Sequence, residues 1–237
     1  MDKVVVRVEG VSKTIKKQRI VSDISFTLNQ GGILALCGGN GAGKSTVLRM
    51  LAGILPPTSG SIIVNGVSHE QKTLLYSRQL GYMPDDFQFQ PGFTAQETIS
   101  FWAALRKVPK ERAKEVLALV GLENAAEKRV GSFSKGMRQR LLLAQAILAK
   151  PPLLLMDEPT NGLDPFWTRE FIRLLDQVRQ DGSTVIFSTH QLEVAGEAAE
   201  QVMFLNQGRV VGKGDVRSFR DRYPSLHEAF HASLGLE

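Results

Sequence analysis

Residues 38–46 read Gly-Gly-Asn-Gly-Ala-Gly-Lys-Ser-Thr, and this run constrains the fold more than any other part of the chain. The apolar residues 33–37 directly before it are typical of a buried strand. Within residues 43–55 apolar side chains recur at helical spacing. A glycine-rich turn between a strand and a helix aims successive backbone N–H groups at one point, which suits phosphate oxygens. The sequence therefore predicts a phosphate-binding loop of the form G-x-x-x-x-G-K-[ST].

The sequence predicts specific roles for two side chains of this loop. Lys44 is expected to reach the β- and γ-phosphates of a nucleotide, and the Ser45 hydroxyl is expected to ligate Mg²⁺. The alternative is a glycine-rich turn that fits the pattern by chance, and the strand and helix on either side disfavour it. The predicted binding residues are Gly38, Gly39, Asn40, Gly41, Ala42, Gly43, Lys44, Ser45 and Thr46.

A second apolar run, residues 152–156, ends in the carboxylates Asp157 and Glu158. A buried strand would carry Asp157 to the sheet edge beside the phosphate loop, where it would hold the hydration shell of Mg²⁺. Because side chains alternate along a strand, Glu158 is expected to point elsewhere and to polarise the attacking water. The alternative, a pair of solvated carboxylates, is disfavoured by the neighbouring phosphate loop.

Strands alternate with helices along most of the chain, and the stretch from about 94 to 149 has a helical pattern. This order predicts an α/β domain with a mainly parallel sheet and an inserted helical subdomain.

Three further short motifs accompany the phosphate loop and the acidic pair, in a fixed order along the chain. Residues 132–140, Ser-Phe-Ser-Lys-Gly-Met-Arg-Gln-Arg, resemble the signature motif of ABC ATPases, usually Leu-Ser-Gly-Gly-Gln. Residues 161–164, Asn-Gly-Leu-Asp, look like the D-loop of that family, and residues 188–190 resemble its switch-histidine segment. The resemblance covers the chain from residue 4 to about residue 211.

The resemblance implies a fold and a division of the chain. The implied fold is α/β, with a P-loop NTPase (RecA-like) core, an N-terminal antiparallel β subdomain and an inserted α-helical subdomain. Residues 1–237 would form a single ABC ATPase domain. Within it, 1–84 and 150–237 would form the β and RecA-like core, and 85–149 the helical subdomain with the signature motif.

The resemblance also implies ATP hydrolysis with Mg²⁺, and roles for individual residues. Glu158 and His190 would be catalytic, with His190 contacting the γ-phosphate and positioning the water. Asp164 would belong to the D-loop. The signature residues would contact the ATP held by a second ATPase subunit; they are Ser134, Lys135 and Gly136.

The sequence departs from the family pattern at several positions. Ile15 stands where an aromatic residue stacks on adenine, and Asp85 stands where the Q-loop glutamine is expected. Asp85 is still expected to approach Mg²⁺ through a water. Lys135 and Met137 replace glycine and glutamine of the signature. Lys135 brings a cation to a phosphate site or is a solvated lysine, and both readings stay open.

The variant signature, the helical insert and residues 224–230 together look like the ATPase subunits of ABC-2-type exporters. Such subunits pair with a separate transmembrane permease subunit and with a second ATPase subunit, in the cytoplasm on the inner face of the cell membrane. Phe87, Phe89 and Phe93 follow Asp85 where a coupling helix would dock, and core packing is the alternative for them. Phe101 and Trp102 are expected to pack in the core.

Composition agrees with a cytoplasmic location. The chain is 43% hydrophobic, has one cysteine, and has neither a membrane-spanning apolar run nor a signal-peptide pattern at its N-terminus.

The net charge is +5, and residues 106–150 alone carry +7. This basic stretch keeps a non-transport ABC ATPase acting on ribosomes or nucleic acid as an alternative. A single ATPase unit without a cysteine cluster argues against it, so no direct contact with nucleic acid is expected. A third class of function is a P-loop kinase, which would transfer phosphate to a small molecule.

Overall fold

The computed structural model describes residues 3–70 and 73–235; the ends of the predicted 1–237 domain and residues 71 and 72 lie outside this range. The strands are β1 Val4–Ile15, β2 Gln18–Asn29, β3 Ile33–Cys37, β4 Ser59–Val64, β5 Val67–Ser68, β6 Leu80–Met83, β7 Leu153–Met156, β8 Thr184–Thr189, β9 Gln201–Asn206 and β10 Arg209–Asp215. The α-helices are α1 Lys44–Leu51, α2 Thr73–Arg78, α3 Ala95–Arg106, α4 Lys110–Leu119, α5 Lys135–Ile147, α6 Pro165–Gln180, α7 Leu192–Ala198, α8 Val216–Arg220 and α9 Leu226–Ser233. Two short 3-10 helices span Glu123–Ala125 and Val130–Ser132.

The central sheet has six strands in the order β10-β9-β3-β8-β7-β6. Its neighbours pair in parallel, except that β10 runs antiparallel to β9. In β3, Leu34 and Leu36 face one hydrophobic core, while Ile33, Ala35 and Cys37 face the other. Because both faces of the sheet are covered, β3 is a continuous apolar run, as a central parallel strand requires.

A second, antiparallel sheet of four strands, in the order β2-β1-β4-β5, covers one face of the central sheet. Val6 of β1 pairs with Val64 of β4, and both side chains are buried in the core that contains Leu34. Asn65 and Gly66 have φ angles of 49° and 78° and form the tight turn between β4 and β5 that the sequence predicts. This sheet is the antiparallel β part of the predicted fold.

Helices α3, α4 and α5 lie between β6 and β7, which are neighbours in the central sheet. The first of them begins with a capping box: the Thr94 hydroxyl accepts from the Glu97 N–H at 3.1 Å, and the Glu97 carboxylate accepts from the Thr94 N–H at 2.8 Å. The helical segment is therefore an insertion between two adjacent strands. None of the described helices is long and apolar enough to cross a membrane.

Two expectations about local structure are wrong. Helix α1 ends at Leu51 rather than near residue 55, because Gly53 has a φ of +72° and turns the chain out of the helix. Phe101 is 58% exposed rather than packed in the core. The buried face of α3 contains Ile99 and Ala103, and Phe101 lies on the opposite side of the helix.

Candidate active site

The phosphate loop needs glycine at three of its positions. A Cβ atom on Gly38 would lie 2.3 Å from the carbonyl oxygen of Leu205, so no larger residue fits there. Gly41 and Gly43 have φ angles of 77° and 102°, which glycine adopts at no steric cost. Within the described part of the chain no side chain caps the N-terminus of α1, so its backbone N–H groups remain available to an anion.

The ammonium group of Lys44 curls back over this loop. Its Nζ donates to the carbonyl oxygens of Gly38 at 2.7 Å and Gly39 at 3.2 Å. The same atom lies 3.2 Å from Oε1 of Glu158, and both side chains are almost completely buried. The structure therefore places a buried cation at the centre of the loop and pairs it with one carboxylate.

The other carboxylate, Asp157, is held by two hydroxyl groups. Ser45 Oγ donates to Asp157 Oδ1 at 3.1 Å, and Ser188 Oγ donates to the same oxygen at 2.6 Å. Ser188 Oγ also accepts from the backbone N–H of Glu158 at 2.9 Å, so it contacts both acidic residues. Sequence reasoning gave Ser188 no role. Its only sequence signal is its place in segment 188–190; in the structure it is the last residue but one of β8, and its neighbourhood follows from the parallel register of β7 and β8.

The prediction that strand alternation orients the Glu158 side chain is wrong. Strand β7 ends at Met156, so Glu158 is not part of a strand and alternation does not orient it. Its φ is +48°, a left-handed conformation that is uncommon for glutamate. This turn brings Oε1 to Lys44 and Oε2 to within 2.9 Å of His190 Nδ1. The carboxylate therefore bridges the phosphate loop and the histidine that follows β8.

The signature residues lie apart from this cluster. Ser134 is the N-cap of α5, and its hydroxyl accepts from the backbone N–H of Met137 at 3.1 Å. Ser134 and Lys135 are exposed, and the first turn of α5 contains no acidic residue. Across residues 3–70 and 73–235, no hydrogen bond joins Ser134, Lys135 or Gly136 to loop 38–46. A single chain thus presents the signature to the outside.

Three other predicted positions have the following surroundings. Asp85 Oδ1 accepts from Asn161 Nδ2 at 3.4 Å. Asp164 caps α6, and its Oδ1 accepts from the backbone N–H of Trp167 at 2.8 Å. Ile15 ends β1 and is 42% exposed, so it is open to a contact from outside.

Cys37, the last residue of β3, is a buried core residue. Burial raises the pKa of its thiol to about 12, although the nearby charge of Lys44 acts in the opposite direction. A thiol that stays protonated is a poor nucleophile, so Cys37 is a packing residue beside this site.

Residues 21–161 match the family model described as ABC transporter, and this segment contains the phosphate loop and both acidic residues. The chain belongs to the ABC transporter family. It is 39% identical over 219 residues to YxlF of Bacillus subtilis (strain 168), an uncharacterized ABC transporter ATP-binding protein, covering 91% of this chain and 72% of the relative. It is 35% identical over 210 residues to the linearmycin resistance ATP-binding protein LnrL of the same organism, covering 87% and 68%.

Solved structures of this ABC family agree with the sequence comparison. The ATP-binding subunit of an ABC transporter superposes with a TM-score of 0.88 at 28% identity, covering 97% of this chain and 99% of that one. A dimeric ATP-binding cassette in a post-hydrolysis state, bound to ADP and Pi, gives a TM-score of 0.82 at 26% identity, covering 90% and 99%. The predicted P-loop NTPase fold and ABC ATPase activity are confirmed. Nothing in these comparisons favours the alternative role on ribosomes or nucleic acid.

Proposed function

We propose that this ABC ATPase is an exporter subunit that binds two ATP molecules between two copies and drives a separate transmembrane permease from the inner face of the cell membrane. The observation that carries the catalytic part is the bridge from Lys44 through Glu158 to His190, beside the pair of Ser45 and Asp157. It puts a phosphate-binding cation, a base and a metal-binding pair at one edge of the sheet.

The residues around Asp157 fit a magnesium ion. A hydroxyl and a carboxylate oxygen 3.1 Å apart are the hard donors that Mg²⁺ prefers, and phosphates and waters normally complete its shell. The described part of the chain holds no cluster of three or more His, Cys, Asp or Glu, so Ser45 and Asp157 are the proposed ligands. Asp85 would contact the ion through a water. Bound there, Mg²⁺ would neutralise charge on the phosphate oxygens.

Glu158 is proposed as the base that accepts a proton from the attacking water. Its Oε2 is held by His190 Nδ1, which fixes the direction of the carboxylate. Because the carboxylate only accepts, His190 Nδ1 is the donor in this contact, and the opposite nitrogen, Nε2, donates to a γ-phosphate oxygen when it carries a proton as well. Lys44 would hold the β- and γ-phosphates, and the backbone N–H groups of 38–46 would surround them. The products are ADP and phosphate.

The second ATPase subunit is proposed to supply its signature to the same ATP. The exposed N-terminus of α5 offers backbone N–H groups, and Ser134 keeps its hydroxyl proton free because the oxygen acts only as an acceptor for Met137. A γ-phosphate is the anion this surface suits, with Lys135 and Gly136 beside it. The dimeric relative with ADP and Pi supports this arrangement.

An exposed apolar surface supports the permease partner. Phe87, Phe93, Phe101 and Leu105 are each at least 36% exposed, and all follow β6 on the segment that leads into α3 or on α3 itself. Exposed aromatic and aliphatic residues are typical of a protein contact, and we propose that a permease coupling helix covers these. A relative that is 36% identical over 219 residues is named a Nod factor export ATP-binding protein, and this name supports export as the direction.

Phosphate release by the purified chain tests the catalytic proposal. With Mg-ATP and no acceptor, we expect free phosphate in proportion to ADP, and loss of release when EDTA removes the metal. A kinase would instead form ADP only when an acceptor is added and would leave the phosphoryl group on that acceptor, and that result would contradict the proposal. Co-purification with a six-helix membrane protein encoded by the neighbouring reading frame tests the partner.

A further inference from the structure

The turn that follows Glu158 is held by two side chains of α5. The buried Gln139 donates from Nε2 to the carbonyl oxygens of Glu158 at 3.2 Å and Pro159 at 3.3 Å. Lys135 donates from Nζ to Asn161 Oδ1 at 3.1 Å. Since residues four apart lie on one face of a helix, α5 contacts both ends of this turn with a single face.

Asn161 is the junction of these contacts. Its backbone N–H donates to the carbonyl oxygen of Glu158 at 3.0 Å, while its amide oxygen accepts from Lys135. Its amide nitrogen donates to Asp85 Oδ1 at 3.4 Å. The two side-chain contacts need a donor and an acceptor on one planar group, which an amide supplies and a carboxylate does not.

The Lys135 side chain is fixed by packing as well as by its hydrogen bond. Gly162 has a φ of +85°, and a Cβ atom there would lie 2.7 Å from Cδ of Lys135, so the lysine stem runs directly over this glycine. Lys135 is the first residue of α5, where the helix dipole disfavours a cation. Its contact with Asn161 offsets that disadvantage.

We propose that Asp85, Asn161 and Lys135 form a polar relay that positions Glu158 for proton abstraction. The relay connects the segment after β6 and the signature helix to the turn that carries the base. A shift of either element therefore changes the direction of the Glu158 carboxylate. These three are positioning residues in the relay, and the inference rests on the proposed role of Glu158.

The relay makes a distinct kinetic prediction. It acts on the turn after Glu158 and does not contact the phosphate loop, so breaking it lowers kcat and leaves the KM for ATP in place. Lys135 is also proposed to face the ATP of the second copy, and Asp85 is proposed to approach Mg²⁺ through a water, so substitution of either would change both constants. The KM criterion therefore applies to Asn161 alone, and Asp85 is substituted only to test whether it recovers kcat.

The experiment is a donor–acceptor swap in the purified chain. Asn161→Asp keeps the acceptor for Lys135 but sets two carboxylates against each other at Asp85. Adding Asp85→Asn to it restores one donor and one acceptor between the two positions, and Asp85→Asn alone supplies the second single effect. Asn124→Asp, at an exposed asparagine of the 3-10 helix Glu123–Ala125, is the matched control. For each variant, kcat and KM are measured from phosphate release, with thermal unfolding alongside.

We expect Asn161→Asp to lower kcat about three- to tenfold with KM within about twofold of wild type, and the swap to recover most of the loss. A swap no faster than the product of the two single effects would overturn the relay. So would an Asn161→Asp variant that unfolds at a lower temperature but turns over at the wild-type rate, because the contact would then be structural only. A wild-type chain that releases no phosphate would overturn the proposed function itself.

Discussion

The ammonium group of Lys44 lies 3.2 Å from the carboxylate of Glu158, and the two side chains are only 6% and 12% exposed. The loop's only cation is thus paired with the residue proposed as the base. Phosphate oxygens that reach Lys44 compete with this carboxylate, because a charge-assisted contact with one weakens the contact with the other. Binding of ATP and readiness for hydrolysis are therefore connected through one ion pair.

Glu158→Gln removes the competing charge and should strengthen ATP binding. We expect the affinity of a single subunit for a fluorescent ATP analogue to rise by about tenfold, and turnover to fall by a factor of about 10² to 10⁴ because an amide accepts no proton. Equilibrium titration and phosphate release measure the two effects. Glu197→Gln, at an exposed glutamate of α7, is the control and should behave like wild type. Weaker binding by Glu158→Gln would show that the ion pair does not compete with ATP.

Lys44→Ala should abolish tight nucleotide binding. It removes the main side-chain charge on the β- and γ-phosphates, and we expect affinity to fall by about a hundredfold or more. It also leaves the nearly buried Glu158 with His190 as its remaining ionic partner among the described residues, which should cost about 1–3 kcal/mol in the free energy of unfolding. Urea unfolding measures that loss, with Lys114→Ala at an exposed position of α4 as the control. Unchanged affinity would contradict the assignment of the phosphate loop.

The phosphate loop could be predicted from the sequence because its residues carry their own conformational requirement. Gly41 and Gly43 have positive φ angles, and such positions favour glycine in any fold. The apolar strand β3 before the loop and the spaced apolar residues of α1 after it are equally local signals. Local signals of this kind can be recognised in the sequence without knowledge of the rest of the structure.

The contacts of the acidic residues could not be predicted, because they depend on chain segments far apart in sequence. Ser188 reaches Asp157 only because β7 and β8 are parallel neighbours in a particular register. Glu158 turns toward Lys44 because its backbone adopts a left-handed conformation at the end of β7, which residue type does not indicate. Asn161 joins Lys135 and Asp85 for the same reason: the insertion between β6 and β7 brings α5 back to the end of β7.

Cys37 should make the stability of the protein fall in alkaline solution. Its folded-state pKa is raised from 9.0 to about 12, so below about pH 9 the thiol is protonated in both states and contributes no pH dependence. Above that pH the unfolded thiol loses its proton while the folded one keeps it. The free energy of unfolding should then decrease by up to about 1.4 kcal/mol per pH unit from this group.

Urea unfolding of the wild type and of Cys37→Ala, from about pH 8 to about pH 11, measures this slope. The alanine variant should lose the part of the pH dependence of the free energy of unfolding that comes from the thiol. A slope from Tyr76 remains in both proteins above about pH 10, because burial raises the pKa of its phenol as well. Identical slopes for the two proteins would mean that Cys37 is not protected in the folded chain.

Ser134→Arg should prevent two subunits from closing over ATP. The hydroxyl of Ser134 and the N-terminus of α5 are exposed and are proposed to contact the γ-phosphate held by the second copy. An arginine there is too bulky for the γ-phosphate to approach the backbone N–H groups. The test uses a background with Glu158→Gln, which keeps the γ-phosphate uncleaved and should accumulate a closed dimer with Mg-ATP.

Sedimentation with Mg-ATP distinguishes the two variants. We expect the Glu158→Gln chain to shift from monomer to dimer only when ATP is present, and the chain with Ser134→Arg added to stay monomeric while binding ATP normally. Normal binding is expected because the loop and Lys44 of each subunit are untouched. Ser218→Arg, at an exposed serine of α8, makes the same change elsewhere on the surface and is the control. A dimer that forms equally well with Ser134→Arg would place the γ-phosphate away from the signature helix, and the two-subunit sandwich would have to be abandoned.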